Sequence, residues 1–115
     1  MKKLFLLIVM LAMAAIACNI TQEFTQEVPS DEKLAFKACQ PFVTRHLVSP
    51  STAQFPPFAE VEVEAQTRNI FRVHGYVDSQ NRYGAMMRSV YVCDIQRAGE
   101  NWSLIRRIEF PFDQN

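Results

Sequence analysis

Glycine is scarce in this chain, with three among 115 residues, and tryptophan and histidine are scarcer still at one and two. Three glycines leave no room for a glycine-rich loop that cradles phosphate. Two histidines far apart, His46 and His74, with no CxxC, HxxxH or HExxH spacing, leave no recognisable metal-ligand set. There is no GxSxG elbow for a nucleophilic serine. Neither charge sign dominates: twelve basic residues balance twelve acidic ones, which argues against nucleic acid as a partner. The longest apolar run, Leu4 to Ala17, is about 14 residues against the roughly 20 that span a bilayer as a helix.

That run follows Lys2 and Lys3 and ends in Ala15-Ile16-Ala17-Cys18. A basic start, an apolar middle and small residues at the end make residues 1–17 an export signal. A cysteine directly after a small residue marks Cys18 as the lipidated first residue of a mature lipoprotein. Plain secretion with cleavage before Cys18, and an uncleaved anchor, are the alternatives. Lipidation anchors the chain to a bilayer, because each buried CH₂ contributes about 0.8 kcal/mol. Removing residues 1–17 leaves ten basic and twelve acidic residues, a net charge of −2. Asn19 is not the aspartate that commonly retains such proteins at the inner membrane, so the expected address is the periplasmic face of the outer membrane.

With Cys18 acylated, Cys39 and Cys93 remain as a pair in an oxidising compartment, and one disulfide is expected between them. Residues 18–29 are polar and aperiodic and read as a tether. Residues 30–115 read as one α+β domain: an N-terminal helix packed on a four-stranded antiparallel meander. Ser30 is the expected N-cap, with Asp31 and Glu32 in the first turn. Leu34, Ala35, Ala38, Cys39, Phe42, Val43, His46 and Leu47 recur at helical spacing over 31–47. Pro41 predicts a kink or break in that helix. Ser49 and Pro50 start a further short turn.

Four alternating segments follow. Val61, Val63 and Ala65 share one face; so do Phe71, Val73 and Val77; Met87, Ser89, Tyr91, Cys93 and Ile95; and Trp102, Leu104, Ile108 and Phe110. The expected registers place Glu64 opposite Arg72, Glu62 opposite His74, Tyr76 opposite Met86, Phe71 opposite Tyr91, and Cys93 opposite Leu104. In that arrangement Arg72 keeps Glu64 ionised. Cys93 then lies on the apolar face that the helix and Cys39 cover. Arg106 falls on that same face, which requires either an open core edge or a bulge.

The stretch from Cys39 to Cys93 resembles a group of small exported bacterial and phage-carried proteins without an assigned activity. The pieces that carry the likeness are Leu47–Pro56 (LVSPSTAQFP), Gly75–Asn81 (GYVDSQN), Tyr83–Ala85 (YGA) and Tyr91–Cys93 (YVC). The resemblance implies a helix followed by an antiparallel sheet behind various export signals, and it implies no catalytic mechanism.

Function is sought on what the fold leaves open. One helix covers one face of a sheet. The other face carries Tyr76, Met86, Val90, Val92 and Ile105, bordered by Arg72, His74, Arg88, Arg107 and the Glu60, Glu62, Glu64 row. An apolar centre with a charged rim is the composition of a contact surface. The Asp78–Gly84 loop, with Asp78, Asn81 and Tyr83, is a second candidate, although an Asx turn and a positive-φ Gly84 account for its composition as well. The expected function is therefore a non-enzymatic protein-binding module of the envelope, meeting an envelope protein or a second copy of itself, with no cofactor. A phage-related surface role is one form of it. The alternative is a periplasmic carrier holding a small apolar ligand among Phe42, Tyr91 and Trp102.

Overall fold

A computed structural model describes residues 2–16 and 29–111, with side chains undescribed over 11–16. Cys18 and the expected tether up to residue 28 lie outside the described residues. The elements are α1 (Lys2–Ile16), α2 (Asp31–Thr44), β1 (Glu62–Ala65), β2 (Ile70–Gln80), β3 (Met86–Ala98) and β4 (Asn101–Leu104). The four strands form one antiparallel sheet in chain order, so the expected α+β class and meander are present. No described helix is long and apolar enough to cross a membrane.

The α2 helix starts where its cap predicts, because the Lys33 N–H donates to Ser30 Oγ at 3.3 Å. It runs to Thr44 without the break expected at Pro41. Residue 41 is exposed and lies in the last turn, so its ring meets solvent and few helical bonds remain to be lost beyond it. The helix ends three residues short of the expected Leu47. The short 3₁₀ turn at Pro50–Thr52 forms, but the Ser49 side chain does not cap it. Instead the Thr52 hydroxyl donates to the Ser49 carbonyl at 2.7 Å and accepts from the Gln80 N–H at 2.9 Å.

The core lies between α2 and one sheet face. From α2 it takes Ala35, Phe36, Cys39 and Val43, and from the sheet Phe71, Val73, Val77, Tyr91, Cys93 and Ile95, with Ile108 closing one side. Cys39 and Cys93 form the expected disulfide across it, with Cα atoms 6.3 Å apart. Phe36 belongs to this core, 6.2 Å from the Phe58 ring, although the expected helical face passed it by; His46, placed on that face, is exposed. Among the described residues the core draws on nothing before Ala35, and the described side chains of α1 are all exposed.

The β1–β2 register is as expected, with Glu62 opposite His74 and Glu64 opposite Arg72. The β2–β3 register differs by four residues: Phe71 faces Ile95, Val73 faces Cys93 and Tyr76 faces Val90. The cause is the length of β2. It continues through Asp78, Ser79 and Gln80, because Asp78 pairs with Arg88, Ser79 is buried and the Gln80 N–H is held by Thr52. An even shift preserves the faces, which is why the core still forms. Met87, expected in the core, is 53% exposed because β3 extends past the residues that α2 covers.

The β3–β4 register differs by two, with Ile95 opposite Leu104, because Gly99 (φ 64°) opens a two-residue turn. Glycine at the first central position suits a type II′ hairpin. β4 stops at Leu104 rather than reaching Phe110. Ile105 donates to the Asp94 carbonyl, and pairing resumes only at Glu109 opposite Val92. Two extra residues bulge out between, which carries Arg106 into solvent at 69% side-chain exposure. Of the two explanations for Arg106, the bulge is the correct one.

Candidate functional site

Strand alternation places the even-numbered residues of β2 and β3 on the face away from α2. Two cross-strand ion pairs frame that face. Arg72 reaches Asp94 with both Nε and Nη2, at 2.8 and 3.0 Å. Arg88 reaches Asp78 in the same way, at 2.9 and 3.0 Å. Between them stand His74 opposite Val92 and Tyr76 opposite Val90.

The Arg88 guanidinium lies 3.9 Å from the Tyr76 ring centroid, and the Tyr76 hydroxyl donates to Glu60. That hydrogen bond to Glu60 raises the Tyr76 pKa, since it must break on ionisation. Arg88 holds the Asp78 carboxyl below the usual carboxylate range, chiefly by hydrogen bonding. Arg72 does the same for Asp94, with Arg106 adding a weaker attraction from 3.9 Å. Arg72 therefore serves Asp94 and not Glu64, as the sequence had suggested. Glu64 instead meets His74 Nε2 at 3.9 Å and accepts from Gln66.

The bulge after β4 creates a cleft of about 370 Å³ beside these pairs, lined by Arg72, His74, Val92, Asp94, Arg106, Arg107 and Glu109. Three arginines against two carboxylates give the cleft a cationic balance. Asp94, Arg106 and Glu109 were not among the expected site residues. Alternation alone assigns Asp94 to the open face, but only the correct β2–β3 register sets it opposite Arg72.

The structure brings Tyr76, Met86, Arg88, Val90 and Val92 together on the open face, with Ile105 beside them after β4. Met86, Val90 and Ile105 remain exposed. Asp78 is a strand residue here and belongs to this face, not to a loop. The loop shrinks to Asn81–Ala85, and the Asn81 carboxamide accepts from the Tyr83 and Ala85 N–H groups while Gly84 takes φ 80°. Asn81 thus builds the turn, and Tyr83 stands exposed on it at 86%.

The proposed ligand-lining aromatics are packing residues in this fold. Tyr91 is fully buried, with Phe42 and Trp102 packed against the core. The Tyr91 hydroxyl has no hydrogen-bond partner among the described residues, and burial raises its pKa. Among the described residues no group of three or more His, Cys, Asp or Glu side chains is placed to hold a metal ion. The chain matches no protein-family model, no curated protein and no solved structure.

Proposed function

We propose that this chain is an envelope lipoprotein, anchored through acylated Cys18 and facing the periplasm, whose open sheet face binds another envelope protein. One observation carries the reading: the sheet is sealed on one side by a disulfide-tied helix, and on the other it leaves Val90 exposed between two ion pairs, with Met86 and Ile105 exposed just outside them. Bidentate pairs hold their side chains in place before a partner arrives, which lowers the entropy cost of docking. The cationic cleft beside Val92 suits an acidic side chain of that partner. The likeness to phage-carried exported proteins makes a surface-modifying role one form of this reading.

The role is non-enzymatic. Asp78 and Asp94 are each held ionised by an arginine, so neither is poised to give and take a proton near neutral pH. The exposed apolar side chains of α1, Leu4 to Met10, agree with a segment that meets lipid or the export machinery.

Two experiments test the reading. Cys18→Ser should abolish incorporation of labelled fatty acid and release the protein to the soluble fraction; unchanged labelling and membrane association would overturn the anchor. Crosslinking in cells should recover one protein repeatedly with the wild type and lose it with Val92→Glu. Capture of membrane neighbours alone, or equal capture by the variant, would overturn the binding face.

A further inference from the structure

The sheet guards its edges unequally. On the outer edge of β2, β1 covers residues 71–74, the Gln54 backbone bonds Asp78 in both directions, and the Thr52 hydroxyl takes the Gln80 N–H. β1 itself is four residues long and carries Glu62 and Glu64, the short charged strand that discourages pairing.

The outer edge of β3 differs. Val92 bonds Glu109 through both backbone groups, and the Asp94 carbonyl accepts from Ile105, so even-numbered residues of β3 point their backbone groups away from β2. By the same alternation, Met86, Arg88 and Val90 point theirs outward as well. None of these outward backbone groups bonds another part of the chain among the described residues. The ladder stops for a clear reason: after Val92 with Glu109, the next pair is Val90 with Pro111, and proline has no N–H to donate.

The uncovered stretch lacks the usual protection. It has no proline, no bulge and no lysine, and its one charge is Arg88, already neutralised by Asp78. What is unpaired is a row of backbone donors and acceptors at two-residue spacing, and that pattern is satisfied by another extended strand.

We infer that the β3 edge from Met86 to Val90 pairs antiparallel with the same edge of a second copy of this chain, joining two four-stranded sheets into one. This goes beyond the binding reading above, since it concerns a strand edge and not the open face, and a second copy and not another envelope protein. A two-fold axis at Arg88 sets Met86 of one copy opposite Val90 of the other, twice, and both side chains are exposed in the single chain. The two Arg88 residues meet without a bare repulsion. Each guanidinium turns back over its own β2, bonded to Asp78 and stacked on Tyr76. From Asn19 onward the chain carries a net charge of only −2, too small to oppose self-association.

The test is sedimentation of the chain from Asn19 onward over a concentration series, with amide exchange read residue by residue. The mass should rise from one chain to two, with exchange at Met86, Arg88 and Val90 slowing about tenfold or more in the dimer. Val90→Pro should abolish the dimer and keep the melting temperature, because the N–H it removes is not used within the sheet. Val90→Lys, which disturbs the strand less, should weaken the dimer. A monomer at every concentration up to about 1 mM, a free-energy scale of about 4 kcal/mol, would overturn the inference and leave the envelope-partner reading standing. A dimer whose three edge amides exchange freely would also overturn it, and so would edge protection that appears only on adding an unrelated extended peptide.

Discussion

The two faces of this sheet are built from the same strands by the same alternation, yet they are finished differently. Facing α2, Val73, Val77, Tyr91, Cys93 and Ile95 are wholly buried and a disulfide fixes the cover. Facing away, the neighbouring residues Arg72, Asp78, Arg88 and Asp94 are locked to one another and not to any covering element. The closed face holds the fold together. The open face is ordered by side-chain pairs, of which the exposed one, Arg88 with Asp78, contributes little to folding. Order that folding does not require is what a recognition surface needs.

The largest expected break in this contrast is on the closed face. Replacing both cysteines (Cys39→Ala with Cys93→Ala) should lower stability by about 2–4 kcal/mol in denaturant unfolding, because the bond closes a long loop of the unfolded chain. The separation it bridges is 54 residues. Gly75→Ala comes next. Gly75 sits directly opposite Tyr91, and a Cβ there would lie 2.6 Å from the Tyr91 hydroxyl and 2.7 Å from Cζ. The expected loss is about 1–3 kcal/mol, the usual cost of overpacking. Tyr91→Phe should not rescue it, since Cζ remains.

Acid probes the open face. Asp78 and Asp94 have folded pKa values below the unfolded value of 3.8, so their pairs stabilise the fold above that pH, and the stabilisation is lost as pH falls through the lower folded values. Stability measured in urea should hold from neutral pH down to about pH 4 and fall below it. Asp94→Asn should flatten that acid limb while shifting stability at pH 7 less than Gly75→Ala does. The smallest effect is Tyr91→Phe alone. It removes a buried hydroxyl that has no partner among the described residues, and should raise stability by about 0.5–1 kcal/mol in the same assay.

The closed face was largely legible in the sequence. Period-two alternation names Phe71, Val73, Val77, Tyr91, Cys93 and Ile95 without any knowledge of register, and Ser30 announces the helix. The disulfide followed from one argument about which face Cys93 shares. Register was legible only where charge patterning constrained it, as in Glu62, Glu64, Arg72 and His74. The β2–β3 register is hidden because Asp78-Ser79-Gln80-Asn81 carries turn residues, and local turn preference loses to the Asp78–Arg88 pair and the Thr52 hydroxyl. The Arg72–Asp94 pair and the cleft beside it are hidden with it. The free β3 edge was out of reach for a related reason: it depends on where β4 ends, and Pro111 acts only once Glu109 is known to face Val92.

If the face opposite the disulfide is the one that meets a partner, contact should be confined to it. A photo-crosslinking residue placed at Val92 on the open face, and separately at exposed Lys37 on α2, tests it inside cells. Position 92 should give a discrete crosslinked species and position 37 none. The same species from both positions, or from position 37 alone, would contradict it.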